Sequence, residues 1–328
     1  MLRSVPPEQS DTALLPVSVV IPVYRGAGTV GELVEALGEE LREAYALEVV
    51  LVDDGSPDDS AAVCEALARK HGWVRFIGLA RNVGEHSAVL AGLHHASGEV
   101  VVIMDDDLQH PPEEVRTLIA ALGDEHDVVY GRYHQKRHGL VQNLGSRFNG
   151  WVATRVLDKP EGLYLSSFKA IRRFVVDELC KVRDPAPYLD GYILRITDHL
   201  TEVPVAHHPR REGTSNYTLR KLAALWMRHV VGFSLAPLRA ASLLGLLLSL
   251  TGLVAAVIFV IERLRDPSLP AGWASVIVSV TLLGGVQLFA LGMLGEYLGH
   301  LVHRTAGAPA FVVRRTVGTT SAPSRDAR

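Results

Sequence analysis

Cysteine is nearly absent from this chain: Cys64 and Cys180 are the only two in 328 residues, far apart and without metal-type spacing. A disulfide framework is thereby excluded, and the usage fits a reducing compartment. Excess charge of one sign is missing too. Lys and Arg number 33 against 36 Asp and Glu, a net of -3, so no basic field argues for nucleic acid as a partner. The 14 histidines include His94-His95 and His207-His208, but no acid-and-His spacing of the metalloprotease or zinc-finger kind occurs. No secretory pattern opens the sequence. Residues 1–15 carry Glu8 and Asp11 and lack an apolar core, so 1–16 is expected to be a disordered lead-in.

What the chain does have is apolar residues, 48% of the total, with the excess beyond residue 240. Before that point, short β-branched runs at 17–24, 47–52, 74–79, 100–104 and 127–130 read as strands, apolar almost throughout. Such runs suit a parallel sheet buried on both faces. Helical spacing separates them: Val30, Leu33, Val34, Leu37 and Leu41 in the first interval, then 60–70, 85–96 and 111–122. A helix after each strand predicts an α/β, Rossmann-like, doubly wound sheet over 17–218. Further helices are expected at 140–157 and 168–179, and 201–205 reads as one more strand.

Residues 219–239 mix Arg220, Lys221 and Arg228 with Leu222, Leu225, Trp226 and Phe233, the pattern of an amphipathic helix lying on a membrane. Two uncharged stretches follow, 240–261 and 271–295, each longer than the roughly 20 residues a bilayer crossing needs. They predict a two-helix transmembrane tail over 240–299. Basic residues are denser outside the pair than in the hairpin holding Arg263 and Arg265. That asymmetry puts the α/β domain, the 300–328 tail and both termini on the cytoplasmic side of the plasma (inner) membrane. Cutting after Thr218 is accordingly expected to leave a soluble domain that still binds nucleotide.

Three motifs fall at expected strand ends. Asp105-Asp106-Asp107 follows the fourth strand; three adjacent carboxylates repel one another unless a cation neutralises them, and oxygen ligands favour Mg²⁺ or Mn²⁺. The same residues also read as a solvated acidic turn before the helix that starts at Pro111. Asp53-Asp54-Gly55-Ser56 ends the second strand, either a nucleotide contact or an ordinary Asp-Gly-Ser turn. Pro22-Val23-Tyr24 ends the first and, taken alone, is a strand stop.

In their joint order these motifs resemble the inverting GT-A glycosyltransferases of family 2. The resemblance extends through Arg81-Asn82-Val83-Gly84 and Asp107-Leu108-Gln109-His110-Pro111-Pro112-Glu113. It continues in His207-His208-Pro209-Arg210-Arg211-Glu212-Gly213-Thr214-Ser215-Asn216-Tyr217, Pro237-Leu238-Arg239 and Gly295-Glu296-Tyr297, the pattern of the polyprenyl-phosphate branch. It covers about residues 17–315. It implies inverting transfer of a sugar from a nucleotide-sugar, UDP-linked by preference, to polyprenyl (undecaprenyl) phosphate at the membrane. A GDP-mannose-using relative and a catalytically silent nucleotide-sugar-binding scaffold are the alternatives. A processive polysaccharide synthase is disfavoured, because none of Trp73, Trp151, Trp226 and Trp273 supplies a Q-x-x-R-W motif.

By the same resemblance, Asp105 and Asp107 would hold Mg²⁺ or Mn²⁺ and the diphosphate. Gln109 would line the sugar site and Arg210 would clamp the donor diphosphate. Pro22, Tyr24, Asp53, Asp54, Arg81, Asn82 and Gly84 would form the nucleotide site, with Asp54 facing the base. Arg132, Ser146, Arg147 and Ser215 would serve the acceptor phosphate. Three departures stand out: Arg25 where members often have Asn, Gln142 where an Arg is common, and Ser167 in place of an Asp of the glucosyl enzymes. A homo-oligomer formed through the membrane tail is a further expectation.

Overall fold

The computed structural model describes residues 14–133, 160, 162–206, 208, scattered positions within 243–265, and 272–305 and 308–318. The expected helix at 140–157, the amphipathic helix at 219–239, and Ser146, Arg147, Arg210 and Ser215 lie outside the described residues. Contacts divide the chain into two units: 1–147, 160–214 and 309–328 form one, 148–159 and 215–308 the other.

The first unit is built on strands β1 (Pro16–Val23), β2 (Ala46–Asp53), β3 (Val74–Leu79), β4 (Val100–Ile103), β5 (Val128–Tyr133), β6 (Lys169–Arg172), β7 (Leu200–Val205) and β8 (Val313–Val317). They form one sheet in the order β7-β5-β6-β4-β1-β2-β3-β8. Its helices are α1 (Val30–Leu41), α2 (Ser60–Lys70), α3 (Glu85–His95), α4 (Glu114–Leu122), α5 (Arg173–Leu179) and α6 (Leu189–Ile196).

The uniformly apolar strands are explained by burial on both faces. In β1, Val17, Val19, Ile21 and Val23 join the layer holding α1, α2 and α4. Val20, between them, joins the layer holding α3, α5 and α6. Strands β2 and β4 divide in the same alternating way, as the two-residue period of a strand requires. Each fully buried Val, Leu or Ile contributes about 1.5–3 kcal/mol by leaving water, so the two layers together hold the sheet.

Strands β1, β2 and β3 run parallel and outward in one direction, while β4 pairs parallel with β1 on its other side. The direction of winding thus reverses between β1 and β4. In open α/β sheets the crevice at the carboxyl ends of such a pair is where ligands bind.

Two features correct the expectation of a purely parallel sheet. Residues 168–179, expected as one helix, begin as β6, which inserts antiparallel between β4 and β5 and only then turns into α5. Phe168 and Ala170 face one layer and Ile171 the other, all fully buried. A buried strand this short has no period to separate it from the helix that follows. The second correction is β8, inside the segment expected as a tail, which pairs antiparallel with β3. The polar centre of β8, with Arg314, Arg315 and Thr316 exposed, conceals an edge strand.

In the second unit, α7 (Trp273–Thr305) is a helix of 33 residues, and the described positions between Leu243 and Arg265 are also helical. Val280, Leu288, Phe289, Leu291 and Leu298 of α7 are exposed. Among the described residues, no helix is long and apolar enough to cross a membrane.

Candidate active site

The carboxyl ends of β1, β2, β3 and β4 bring Tyr24, Asp53, Asp54, Arg81 and the acidic trio to one edge of the sheet, at the reversal between β1 and β4. The loops are stitched together by short polar side chains. The Arg25 amide donates to Ser56 Oγ at 3.2 Å, and the Gly26 amide donates to Ser60 Oγ at 2.9 Å. Tyr24 is 47% exposed, with the Arg25 guanidinium 5.6 Å above its ring, so an aromatic face is offered at the end of β1. Pro22, two residues earlier, is half-buried.

Asp54 does not stand open at this edge. It is 3% exposed, and its two oxygens accept from the amides of Val83 at 2.7 Å and Gly84 at 2.9 Å. Asn82 donates from its side chain to the Asp54 carbonyl at 3.1 Å. Burial raises the Asp54 carboxyl, and those two amides oppose the rise. Asp54 therefore braces the Arg81-to-Gly84 loop from within, leaving Arg81 and Asn82 exposed on its outer side. Asp53 accepts the Ser56 amide at 3.2 Å and closes its own turn.

The acidic trio has three different environments. Asp105 accepts a 2.7 Å bond from the Ser167 hydroxyl on Oδ2, and Asp107 accepts the Gln109 amide at 3.1 Å. Asp106 points inward, toward Gly26, where an added Cβ would come within 2.1 Å of its Oδ2. That oxygen is buried and has no hydrogen-bond partner among the described residues. Burial, then the charges of Asp107 and Asp105, push the Asp106 carboxyl up to about 7. Leu108 and Arg25, the two non-glycine residues with positive φ among the described residues, both at 60°, lie in the loops after β4 and β1. Backbone held in that region gathers at ligand sites, where the surrounding fold compensates its cost.

Among the described residues, no three His, Cys, Asp or Glu side chains are grouped to hold a metal by themselves. The donor set still suits a hard cation. Mg²⁺ and its analogues are bound through one or two carboxylates plus substrate phosphates rather than by an all-protein cage. Half-buried Asp105 and Asp107 supply two such carboxylates. Asp105 and Asp107 are close enough for their charges to raise the Asp106 carboxyl between them, a repulsion that a cation would offset.

Gln109 ties the acidic loop to the chain beyond β7. Its carbonyl accepts the His208 amide at 2.9 Å and its side-chain amide donates to the His208 carbonyl at 3.2 Å. Glu114 accepts the Ala206 amide at 2.8 Å. The acidic loop and the chain leaving β7 are thereby joined at three points. Arg132 reaches the same sheet edge from β5, where its guanidinium pairs with Glu202 at 2.8 Å.

Several residues at the site were given no role from the sequence, although Ser167 was noted as a departure from the family pattern and His110 lies within a quoted motif. His110 and Tyr133 are one pair: the His110 ring nitrogen Nε2 and the Tyr133 hydroxyl lie 2.6 Å apart. Burial raises the Tyr133 hydroxyl to about 12. Lys169 and Asp190, 3% and 7% exposed, form a buried ion pair to which the fully buried Tyr130 donates its hydroxyl. Glu85, first in α3 and exposed, joins the field: desolvation and then the Asp105 charge raise its carboxyl, with Lys169 opposing. A separate open cavity of about 670 Å³, lined by residues 124–127 and 198–200, lies at the opposite end of β5 and β7 and shares none of these groups.

Residues 18–180 match the family model described as glycosyl transferase family 2. The undecaprenyl-phosphate 4-deoxy-4-formamido-L-arabinose transferase of Proteus mirabilis (strain HI4320) is 31% identical over 308 residues, covering 92% of this chain and 94% of that protein. The protein of the same name from Pseudomonas aeruginosa (strain LESB58) is 34% identical over 313 residues, covering 93% and 91%. Among solved structures, the glucosyl-3-phosphoglycerate synthase of Mycobacterium tuberculosis, in complex with Mn²⁺, UDP-glucose and phosphoglyceric acid, superposes with a TM-score of 0.51 at 20% identity. It covers 68% of this chain and 79% of that one, a likeness of fold.

Proposed function

This chain belongs to glycosyl transferase family 2, and on that premise we propose that it moves a sugar from a UDP-linked donor onto undecaprenyl phosphate, inverting the anomeric carbon. The observation that carries the reading is the pair Asp105 and Asp107 at the end of β4, beside the sheet reversal and on the same sheet edge as the exposed Arg81-Asn82 loop. Relatives more than 30% identical along nearly the whole chain carry the acceptor in their names.

The acceptor's phosphate oxygen attacks the anomeric carbon as the bond from that carbon to the nucleotide diphosphate breaks. A phosphate monoester has a second pKa near 6, so at neutral pH it is largely a dianion and needs no strong general base. The protein's contribution is position and charge. The Asp54-braced loop holds the nucleotide side, and the edge formed by Tyr24 and Pro22 offers a face for the base. Asp105 and Asp107 would hold Mg²⁺ or Mn²⁺, which when bound offsets the charge of the leaving diphosphate. Arg210, by the family resemblance, adds a second cation there.

A lipid acceptor calls for a membrane surface. The full sequence of α7, including positions whose side chains are not described, runs uncharged from Trp273 to Gly295. A helix of 33 residues is about 50 Å long, against a hydrocarbon core of about 30 Å. We read it as one of two bilayer crossings that keep the catalytic unit at the cytoplasmic surface of the plasma membrane, where the phosphate head lies.

The test is a transfer assay. Detergent-purified protein is incubated with undecaprenyl phosphate, Mg²⁺ or Mn²⁺, and a panel of labelled UDP- and GDP-sugars. Label from one UDP-sugar is expected in the lipid fraction, abolished by EDTA and reduced at least a hundredfold by Asp107→Asn. Undiminished transfer in EDTA would sink the metal reading. Binding of nucleotide without transfer from any donor would favour the scaffold.

A further inference from the structure

We infer that residues 310–313, which follow α7 in the chain, are a positioning element of the nucleotide site: the Val312 carbonyl and the Phe311 ring fix the entry of the Arg81-Asn82 loop. The inference deepens the nucleotide-site reading above and rests on it. Its origin is the pairing of β8. Phe76 stands opposite Val317 and Gly78 opposite Arg315, but Leu79 stands opposite Val313, so Arg314 is an extra residue. A bulge of this kind bends a strand and re-aims the chain beside it. On its amino side the Val312 carbonyl accepts the Ala80 amide at 2.9 Å, and Ala80 directly precedes Arg81.

The bulge separates two anchorages. On its carboxyl side, Arg315 pairs with Glu65 of α2 at 2.5 Å, and Val317 packs on the layer holding α1, α2 and α4. On its amino side, Ala310, Phe311 and Val313 pack on the layer holding α3, α5 and α6. The Phe311 ring lies 5.6 Å from that of His94 on α3, centroid to centroid, with the planes at 60°. Covering the edge of β3 needs only β8 itself. The chain from Ala310 to Val312 reaches beyond Leu79, the last residue of β3, to Ala80.

The loop is thereby held at both ends. Asp54 holds its exit through the amides of Val83 at 2.7 Å and Gly84 at 2.9 Å, and Val312 holds its entry. Between these points Arg81 and Asn82 are exposed. Backbone fixed before a ligand arrives need not be ordered on binding, so the seated segment contributes affinity through the loop.

The measurement is UDP binding to the detergent-purified full chain by titration calorimetry, at a temperature where thermal melts show every variant folded. Phe311→Ala should weaken UDP about fivefold to tenfold, the worth of one lost hydrogen bond, and speed hydrogen exchange over residues 80–84. His94→Ala, which removes the ring that Phe311 lies against, should act in the same direction. The double variant should be no weaker than Phe311→Ala alone, because both changes undo one contact. Val317→Ala, at the far end of the same strand, should lower the melting temperature and leave UDP affinity unchanged. Unaltered UDP affinity in both Phe311→Ala and His94→Ala would overturn the inference. So would an equal loss in Val317→Ala, because the strand would then act through stability alone. If the unaltered protein binds no UDP, the nucleotide-site reading itself falls, a result distinct from failure of the clasp.

Discussion

Gly55 shows how closely the nucleotide edge is assembled. Its φ is 64°, and an added Cβ would come within 2.7 Å of the Asn82 amide nitrogen and 2.8 Å of the Arg81 carbonyl carbon. Both are backbone atoms, so neither can swing aside. Gly55→Ala should therefore push the Arg81-Asn82 loop off its brace, costing about 1–3 kcal/mol in strain and overpacking. UDP affinity is expected to fall at least tenfold, with a lower melting temperature; calorimetry and a thermal melt check both. UDP binding at the unaltered level would detach that loop from the nucleotide site. The glycine was legible in the sequence as part of an Asp-Asp-Gly-Ser turn, but its reason was not. The atoms it makes room for lie in the loop after β3. The same holds for Asp54, whose type and place suggested a contact with the base, while the fold turns both its oxygens onto Val83 and Gly84.

Strand β8 changes what the C-terminal segment is for. It covers the outer edge of β3, with Phe76 opposite Val317 and Gly78 opposite Arg315, and the Val312 carbonyl accepts the Ala80 amide at 2.9 Å. The Arg315 guanidinium meets Glu65 of α2 at 2.5 Å. The expectation that the chain could be cut after Thr218 without harm to the nucleotide domain is revised accordingly, since the cut removes β8 and bares the backbone of β3. Ending the chain after Thr305 should lower the melting temperature on the order of 5–10 °C and promote association through the bared edge. A thermal melt with light scattering measures this, and an unaltered melt would make β8 dispensable. Because Ala80 directly precedes Arg81, the clasp also borders the nucleotide loop. Strand β6 teaches the same lesson inside the sheet, where four buried residues running into a helix carry no periodicity of their own.

At the scale of the whole molecule, the chain combines an α/β unit with a second unit whose described residues are largely apolar. Val280, Leu288, Phe289 and Leu298 stand exposed on α7, an arrangement that water penalises and lipid does not. The protein should therefore sediment with membranes and stay there through alkaline carbonate, while detergent releases it. Release by carbonate alone would limit the second unit to surface attachment. What could be read from the residues alone was local in origin. Runs of β-branched residues, helical spacing between them and turn residues at their ends are short-range signals, and together they established an α/β unit with acidic motifs at its strand ends. The uncharged stretches past residue 240 were equally plain. Pairing between distant strands decided the rest. The bond from Ser167 to Asp105 joins residues 62 positions apart. It exists because β6 runs antiparallel to β4 in one register, and no local pattern encodes which strand a segment will choose as its neighbour.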